Sequence, residues 1–186
     1  MPHTRGRGGD ILSAPTPAGS DMADNRIVVL TTGGTIDKVY FDDMSRFEVG
    51  ETVVGKILRE GGVTFDFEVV PLMRKDSLQL TDTDRAAIRA AVEVREESRV
   101  IVTHGTDTMV DTAGVLAGVS DKTIVMTGAL SPARFQASDA VFNIGMAVAA
   151  VQTCPPGVWI AMSGQVFPWD HVRKNRGLNR FERTDG

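Results

Sequence analysis

Five short runs of apolar residues, separated by segments of helical periodicity, constrain the fold of this chain more than any other feature. The runs are predicted strands at residues 27–30, 65–72, 100–103, 123–126 and 158–162. They are apolar on both faces, which is typical of strands in a sheet covered on both sides. Predicted helices at 51–60, 82–97, 108–119 and 136–151 alternate with them. This alternation predicts a three-layer α-β-α domain with a mainly parallel, Rossmann-like sheet.

The length and the distribution of apolar residues predict one folded domain. A chain of 186 residues with 42% hydrophobic residues is long enough for one good core but short for two. Residues 1–25 are rich in Gly, Pro, Ser, Ala and Asp and have no hydrophobic period. We therefore expect a disordered tail at 1–25 and a folded domain at 26–180. Translation could begin at Met1 or at Met22, which stands just before the first apolar run.

Composition and charge argue against several classes of function. The 20 Lys and Arg against 24 Asp and Glu give a formal net charge of -4, and without a basic run nucleic acid is not an expected partner. No stretch approaches the roughly 20 apolar residues that span a bilayer, and residues 1–25 lack the apolar core of a secretory leader. We expect a cytoplasmic protein with no membrane partner. Cys154 is the only cysteine and is interpreted as an inert helix-end residue.

Threonine and glycine residues follow the predicted strands at the points where the strands end. TTGGT at 31–35 follows the first strand and HGTDT at 104–108 follows the third. Because the carboxyl ends of parallel strands meet at one edge, we expect both loops to line a common crevice. The glycine pair before Thr35 permits a sharp bend that leaves amide hydrogens free to face an oxyanion, although alone such a motif is more often a tight turn. The nucleotide-binding patterns GxxxxGK[ST] and GxGxxG are absent.

A threonine hydroxyl is a weak nucleophile that needs a nearby base or a positive field. Asp107 directly follows Thr106, and Lys174 lies in a polar segment after the last predicted strand. A lysine beside a carboxylate can accept and relay protons, so these residues are candidates for the activating group. Without a fold, a lone lysine such as Lys174 is more often a solvated surface charge.

These motifs resemble the active-site signatures of the bacterial-type L-asparaginases. TGGTI at 32–36 is similar to the first signature of that family, and HGTDT at 104–108 is similar to the second. TGA at 127–129, with SD at 138–139 and FN at 142–143, resembles the segment after the family's central strand. The resemblance covers about residues 26–176 in order. It implies the fold of the asparaginase amino-terminal domain.

The resemblance also implies an amidohydrolase that releases ammonia from a side-chain amide such as asparagine. Thr35 would attack the amide and form an acyl-enzyme, which water then hydrolyses. Thr106, Asp107 and Lys174 match the family's second triad, in which the threonine–lysine pair activates the attack or the water. The family's counterpart of Asp107 also holds the substrate's α-amino group. Lys174 is placed only by the local pattern Val-x-Lys.

Further substrate contacts are expected from the glycines before the two threonines and from one segment that departs from the family. Gly34 and Gly105 allow close approach of the substrate. Arg74, Lys75 and Asp76 stand where the family usually has a serine followed by glutamine and aspartate, which hold the substrate's α-carboxylate. Arg74 or Lys75 could bind that carboxylate more strongly than serine. Either could equally indicate a different, larger acidic substrate.

Two other departures concern the flap and the length. The family's flap tyrosine should fall near Phe47, which has no hydroxyl. Tyr40, the only tyrosine of the chain, lies closer to Thr35 and could replace it, although a surface-loop tyrosine is an equally good interpretation. Full-size asparaginases carry a second domain that lends residues to a neighbouring active site, whereas this sequence ends soon after Lys174.

Two functions of different classes follow from these features. The retained threonines, aspartate and lysine favour catalysis. The departures favour a catalytically weak or inactive homologue that binds aspartate, asparagine or a related acidic ligand as a sensor. Hydroxyl-based amidolysis needs no cofactor, so none is predicted, and no metal site either, since adjacent carboxylates such as Asp42 and Asp43 in a polar loop are usually solvated.

Self-association into a homodimer or homotetramer is also expected. The face that a second domain would cover should be apolar and needs another partner. Trp159, Trp169 and Phe167 are candidates for that surface, and each is equally a candidate for the core.

Overall fold

The computed structural model describes residues 26–41, 46–49 and 52–184. The predicted tail at 1–25, with Met22, and the Asp42–Asp43 pair lie outside the described residues.

Within these ranges the chain forms ten strands and four helices, and strands and helices alternate from the third strand to the last helix. The strands are β1 (Ile27–Thr31), β2 (Lys38–Phe41), β3 (Arg46–Val49), β4 (Phe67–Pro71), β5 (Arg99–Thr103), β6 (Thr123–Thr127), β7 (Gly157–Met162), β8 (Gln165–Pro168), β9 (Val172–Asn175) and β10 (Arg180–Arg183). The helices are α1 (Val54–Glu60), α2 (Asp82–Glu93), α3 (Met109–Leu116) and α4 (Ala140–Thr153).

Six strands form one sheet in the order β4-β1-β5-β6-β7-β8. The first five run parallel, and β8 returns antiparallel beside β7. The register pairs Thr31 with Thr103 and Thr103 with Thr127, which are the last residues of β1, β5 and β6. The loops after these three strands therefore leave the sheet at the same level. The prediction of a mainly parallel α/β fold is confirmed.

Alternate residues of the central strands supply two separate hydrophobic cores, one on each face of the sheet. Val28 and Val102 pack on the face covered by α2 and α3, together with Ile88 of α2. Val29 and Ile101 pack on the face covered by α1 and α4. Residues one apart in a strand point to opposite faces, so strands that are apolar throughout require helices on both sides. The three-layer arrangement follows from this.

Helix α2 shows how local sequence sets an element's start and tertiary contacts set its end. It begins with a capping box between Thr81 and Asp84, whose side chains each accept from the other residue's backbone N–H,. It ends at Glu93, before the predicted residue 97, and Arg95 instead reaches Glu97 at 2.9 Å and Glu68 at 2.5 Å. These ion pairs lie at the amino-terminal edge of the sheet, opposite the edge from which the loops after β1 and β5 leave.

Two antiparallel hairpins escape the sequence analysis. One pairs β2 with β3, and the other pairs β9 with β10. The second hairpin carries charged residues at most positions, and it enters the core through only Val172 and Phe181. An apolar run is therefore missing from the sequence, although the hairpin is well anchored.

The three aromatic residues considered for self-association occupy different environments, and Trp159 is partly buried against the core on the α1 and α4 face. Phe167 on β8 is fully buried in the core. Trp169 packs on the same core, and its ring would lie 3.0 Å from a Cβ built on Gly114. Phe142 on α4 is 62% exposed.

Within the described ranges, no helix is long and apolar enough to cross a membrane.

Replacement of Phe167 by alanine should lower the free energy of unfolding by about 3–5 kcal/mol, because it leaves a cavity in the core. The matched control is Phe142→Ala, which removes an exposed ring and should change the stability by less than about 0.5 kcal/mol. Urea unfolding of both variants measures the difference. Equal losses in the two variants would show that the assignment of Phe167 to the core is wrong.

Candidate active site

The two signature loops touch through their backbones at the glycines that precede the threonines. Gly34 has φ +93°, and a Cβ built on it would lie 2.6 Å from the backbone nitrogen of Gly105 and 2.7 Å from its Cα. Only glycine fits such an approach without a shift of one loop. Thr35 directly follows Gly34 and Thr106 directly follows Gly105, so both threonines lie next to this backbone contact.

Hydrogen bonds beyond the strand ends hold the loops in this position. Thr32 donates from its backbone nitrogen and from its Oγ1 to the carbonyl of Thr103, at 3.1 Å and 2.9 Å. His104 N donates to Thr127 O at 2.9 Å, and Lys75 N donates to Thr32 O at 3.0 Å. The ladder of the sheet thus continues into the loops, which limits their freedom.

A third segment, which follows β4, packs on the same loops. A Cβ on Gly105 would lie 2.6 Å from both Cβ and Oγ of Ser77, a buried residue. The hydroxyl of Thr108 donates to the carbonyl of Ser77 at 2.8 Å. Asp76 accepts from Leu78 N at 3.1 Å and caps a short 3-10 turn. The segment predicted to bind the substrate carboxylate therefore borders the two threonine loops.

Lys174 joins Thr106 and Asp107 although it is distant in sequence. Its ammonium donates to Thr106 Oγ1 at 2.7 Å and to Asp107 Oδ1 at 2.8 Å. The side chain of Lys174 is 13% exposed and that of Asp107 is 32% exposed, so solvent screens their ion pair only in part,. Three of the predicted catalytic residues thus form one contiguous group.

The hairpin that carries Lys174 is fixed by contacts on both strands. Asn175 donates from Nδ2 to Glu182 Oε1 at 3.0 Å, which ties β9 to β10. Phe181 N donates to Ser163 Oγ at 3.0 Å, and its ring is buried in the core. Lys174 therefore occupies a defined position beside Thr106.

Thr35 is the first residue of a 3-10 turn, Thr35–Asp37, and it remains partly exposed while its neighbours are buried. The turn is held by Asp37 N, which donates to Gly34 O at 3.2 Å, and by Ala133 N, which donates to Ile36 O at 3.2 Å. Thr35 therefore combines a fixed backbone with partial exposure of the residue, as a nucleophile requires.

Asp37 is a buried acid that the sequence analysis missed. Its Oδ1 accepts from Val53 N at 3.1 Å, directly before α1. Burial raises the pKa of this carboxyl group, while the hydrogen bonds from Val53 and Thr52 and the charge of Arg74 oppose the rise. The sequence feature that could have identified Asp37 is its position two residues after Thr35, the predicted nucleophile. The side chain links the turn of Thr35 to the first helix.

Residues 26–182 match the family described as asparaginase, N-terminal. The chain belongs to the asparaginase family. The L-asparaginase of Thermococcus kodakarensis is 28% identical over 169 residues, which cover 84% of this chain and 50% of that protein. The glutaminase-asparaginase of Acinetobacter glutaminasificans is 28% identical over 169 residues, with coverage of 83% and 50%. This chain therefore spans about half the length of the curated relatives it matches.

Solved asparaginase structures show the same fold. The thermostable enzyme from Thermococcus kodakarensis superposes with a TM-score of 0.71 at 26% identity, covering 85% of this chain and 51% of that one. The probable cytoplasmic L-asparaginase from Campylobacter jejuni gives a TM-score of 0.74 at 26% identity, with coverage of 87% and 54%. The three-layer domain described above is thus the asparaginase amino-terminal fold.

The remaining predicted site residues of this asparaginase-family chain occupy varied positions. Lys75 directs its ammonium to Asp84 Oδ1 at 2.6 Å, so its charge is already paired at the start of α2. Arg74 is exposed, and its charge acts on the buried Asp37. The backbone of Tyr40 lies in β2, which directly follows the turn of Thr35, and its register partner in β3 is Phe47.

His104 holds the second signature loop from inside. It is fully buried, and its Nδ1 lies 2.7 Å from Gly105 O while its Nε2 lies 2.8 Å from Thr112 Oγ1 on α3. A carbonyl can only accept, so Nδ1 carries the proton and Nε2 accepts from the threonine. Burial lowers the pKa of His104 to about 4. The imidazole is therefore neutral at pH 7, and its two hydrogen bonds connect the second signature loop to α3.

Gly34→Ala should destabilise the protein more than Gly62→Ala. Both glycines have positive φ, but a Cβ on Gly62 would meet nothing within 4 Å. The strain of the left-handed backbone should cost about 1–2 kcal/mol in each variant, and the clash with Gly105 should add about 1–3 kcal/mol in Gly34→Ala alone. Urea unfolding of the two variants measures this difference. A similar loss in both would argue against the backbone contact between the loops.

Acid should weaken the fold through His104. Its pKa is about 4 in the native protein and about 6.5 in an unfolded chain, so the unfolded state binds more protons between these values. The free energy of unfolding should therefore fall by about 3 kcal/mol as the pH drops from 7 to 4.

Urea unfolding at several pH values, for the parent and for His104→Gln, tests this contribution. The variant lacks the titrating ring, whereas Asp37 titrates in both proteins and cancels in the comparison. We expect a smaller loss of stability with acid in the variant. Parallel profiles would contradict the assignment of a depressed pKa to His104.

Proposed function

We propose that this chain is an amidohydrolase that releases ammonia from a side-chain amide such as asparagine, with Thr35 as the nucleophile. The observation that carries the proposal is the contact of one ammonium group, that of Lys174, with Thr106 Oγ1 at 2.7 Å and Asp107 Oδ1 at 2.8 Å. This group lies next to the backbone contact that brings the loop of Thr35 alongside. Membership of the asparaginase family supports amide chemistry.

In the first step, Thr35 Oγ1 attacks the amide carbonyl carbon and a carbon–oxygen bond forms. Negative charge develops on the carbonyl oxygen, and backbone amides in the glycine-rich turn are suited to stabilise it. The carbon–nitrogen bond then breaks, and the nitrogen leaves as ammonia with the proton that the hydroxyl released. The acyl group remains as an ester on Thr35.

In the second step, water attacks the ester carbon and Thr35 is released with a carboxylate product. Thr106 and Lys174 are in hydrogen-bond contact, so a proton can pass between the hydroxyl, the amine and the attacking group. Asp107 balances the charge of Lys174 and keeps the side chain in place. The same pair could instead activate Thr35 in the first step, and both assignments require all three residues.

The glycines and the segment after β4 provide the proposed substrate contacts. The side-chain positions of Gly34 and Gly105 are occupied by Gly105 and Ser77, so these glycines would contact the amide through their backbone atoms. Asp76 and Arg74 border the site, and Arg74 is the better candidate for a carboxylate, because Lys75 already pairs with Asp84. Tyr40 is retained as a proposed replacement for the flap tyrosine, on the basis of its place in the strand that follows Thr35.

We also propose self-association and a cytoplasmic location. Val141 and Phe142 on α4 are each 62% exposed, and they are better candidates for an apolar contact than the buried Phe167. The relative from Campylobacter jejuni is named as cytoplasmic, whereas one from Haemophilus influenzae is named as periplasmic.

Ammonia release from asparagine, glutamine and related amides tests the proposed reaction. Thr35→Ala should reduce kcat by about 1,000-fold or more, because the nucleophile is lost. Lys174→Met should reduce kcat by about 100-fold to 10,000-fold, the usual range for a group that transfers protons. Thr35→Ser retains a hydroxyl and should keep part of the activity.

The matched control for Lys174→Met is Lys56→Met, which removes an exposed lysine that pairs with Glu60 on α1. Its turnover should equal that of the parent. If the parent releases no ammonia but is stabilised against heat by aspartate, the sensor interpretation replaces the enzyme. Full activity in Thr35→Ala would exclude Thr35 as the nucleophile.

A further inference from the structure

Asp107 faces a second cation that the proposed reaction does not use. The Nε atom of Arg176 lies 3.9 Å from Asp107 Oδ1, the same oxygen that Lys174 contacts at 2.8 Å. The separation is too long for a hydrogen bond, so the guanidinium acts on Asp107 through its charge and keeps its N–H donors for other groups. The side chain of Arg176 is 71% exposed and can be reached from solvent.

The turn that presents Arg176 has a fixed backbone. Leu178 N donates to Asn175 Oδ1 at 3.1 Å, and Asn179 has φ +45°. The neighbouring arginines of this hairpin are paired elsewhere, because Arg173 lies 2.8 Å and Arg180 lies 3.4 Å from Glu182. Arg176 differs from these two arginines because it lies near Asp107, whereas they pair with Glu182.

The resulting charge pattern disfavours a positively charged substrate group at Asp107. Arg176 adds a second cation at Asp107, so an ammonium group that approached this carboxylate would meet more positive charge than at an aspartate paired with a lysine alone. A carboxylate group on a ligand would meet the opposite situation, and the planar guanidinium can hold it through two parallel hydrogen bonds. The usual attraction between Asp107 and an α-ammonium group is thereby weakened.

We propose that Arg176 determines substrate specificity and selects monoamides of dicarboxylic acids that lack an α-ammonium group. This inference rests on the amidohydrolase function proposed above. Succinamate, which is asparagine without its α-amino group, is the simplest member of this class. The site hydrolyses it in preference to asparagine, because Arg176 offsets the charge of Asp107 and supplies a second guanidinium, in addition to Arg74, for the free carboxylate.

Ammonia release from succinamate and from asparagine tests the inference in the parent, in Arg176→Gln and in Arg173→Gln. The parent should show the higher kcat/KM for succinamate. Arg176→Gln should raise KM for succinamate by about tenfold to hundredfold, the effect of losing hydrogen bonds to a charged group, with a smaller change in kcat. The ratio of kcat/KM should then shift towards asparagine. Arg173→Gln removes an equally exposed arginine of the same hairpin and should leave the ratio unchanged.

Two outcomes would overturn the inference. One is a parent that prefers asparagine, and the other is a ratio that Arg176→Gln leaves unchanged. If the parent hydrolyses no amide, the proposed function fails, and the inference is decided by calorimetric binding of succinate and aspartate instead. Tighter binding of succinate than aspartate by the parent, with loss of that preference in Arg176→Gln, would support the role of Arg176. Equal preference in both proteins would refute it.

Discussion

The contact between the backbones of Gly34 and Gly105 is the constraint on which the candidate site depends. A single added carbon at Gly34 would lie 2.6 Å from the nitrogen of Gly105, so the two loops are too close for a side chain to fit between them. This approach is possible because the register of the sheet ends β1 and β5 at paired threonines, Thr31 and Thr103. The register of the sheet therefore sets the positions of Thr35 and Thr106 along the strand direction, and the contact between Gly34 and Gly105 keeps the two loops together.

The sequence predicts those parts of the structure in which burial follows a local pattern. The central strands are apolar throughout, so their existence and their double-sided burial could be inferred before the fold was known. The signature loops follow directly from their strands, and the common edge of a parallel sheet brings them together. The start of α2 was equally readable, because a capping box involves residues only three positions apart.

The features that sequence does not reveal depend on contacts between distant residues. The contact of Lys174 with Thr106 spans 68 positions; the resemblance to the family implied it, but no local pattern does, and the hairpin that carries Lys174 has too few apolar residues to be recognised as strands. After the end of α2, Arg95 pairs with Glu68, which lies 27 positions away, and no local pattern predicts this ion pair. Asp37 is buried and accepts a hydrogen bond from the backbone nitrogen of Val53, which lies 16 positions away. In each case, the local sequence is compatible with a solvated loop, and only the tertiary contact decides.

Two buried titratable groups, His104 and Asp37, support the loops of the candidate site from inside. His104 loses its charge through burial, with a pKa of about 4, and its two ring nitrogens are occupied by Gly105 and Thr112. Burial also raises the pKa of Asp37, although Arg74 nearby opposes the rise. His104 thus contributes no charge at pH 7, whereas Asp107 and Arg176 are exposed in part to solvent, where a ligand can reach them.

The two halves of the site are built on different parts of the fold, and this separation has a functional consequence. Thr35 and Thr106 are positioned by the main sheet, whereas Lys174 and Arg176 belong to a two-stranded hairpin that is anchored through Val172 and Phe181. Substitutions in the turn of the hairpin can therefore alter the charge that faces Asp107 without disturbing the contact between the threonine loops. Lys174, the proposed proton-transfer group, lies in the strand and Arg176, the proposed specificity group, lies in the turn, but both face the same oxygen of Asp107, so a change at one of them alters the electrostatic surroundings of the other.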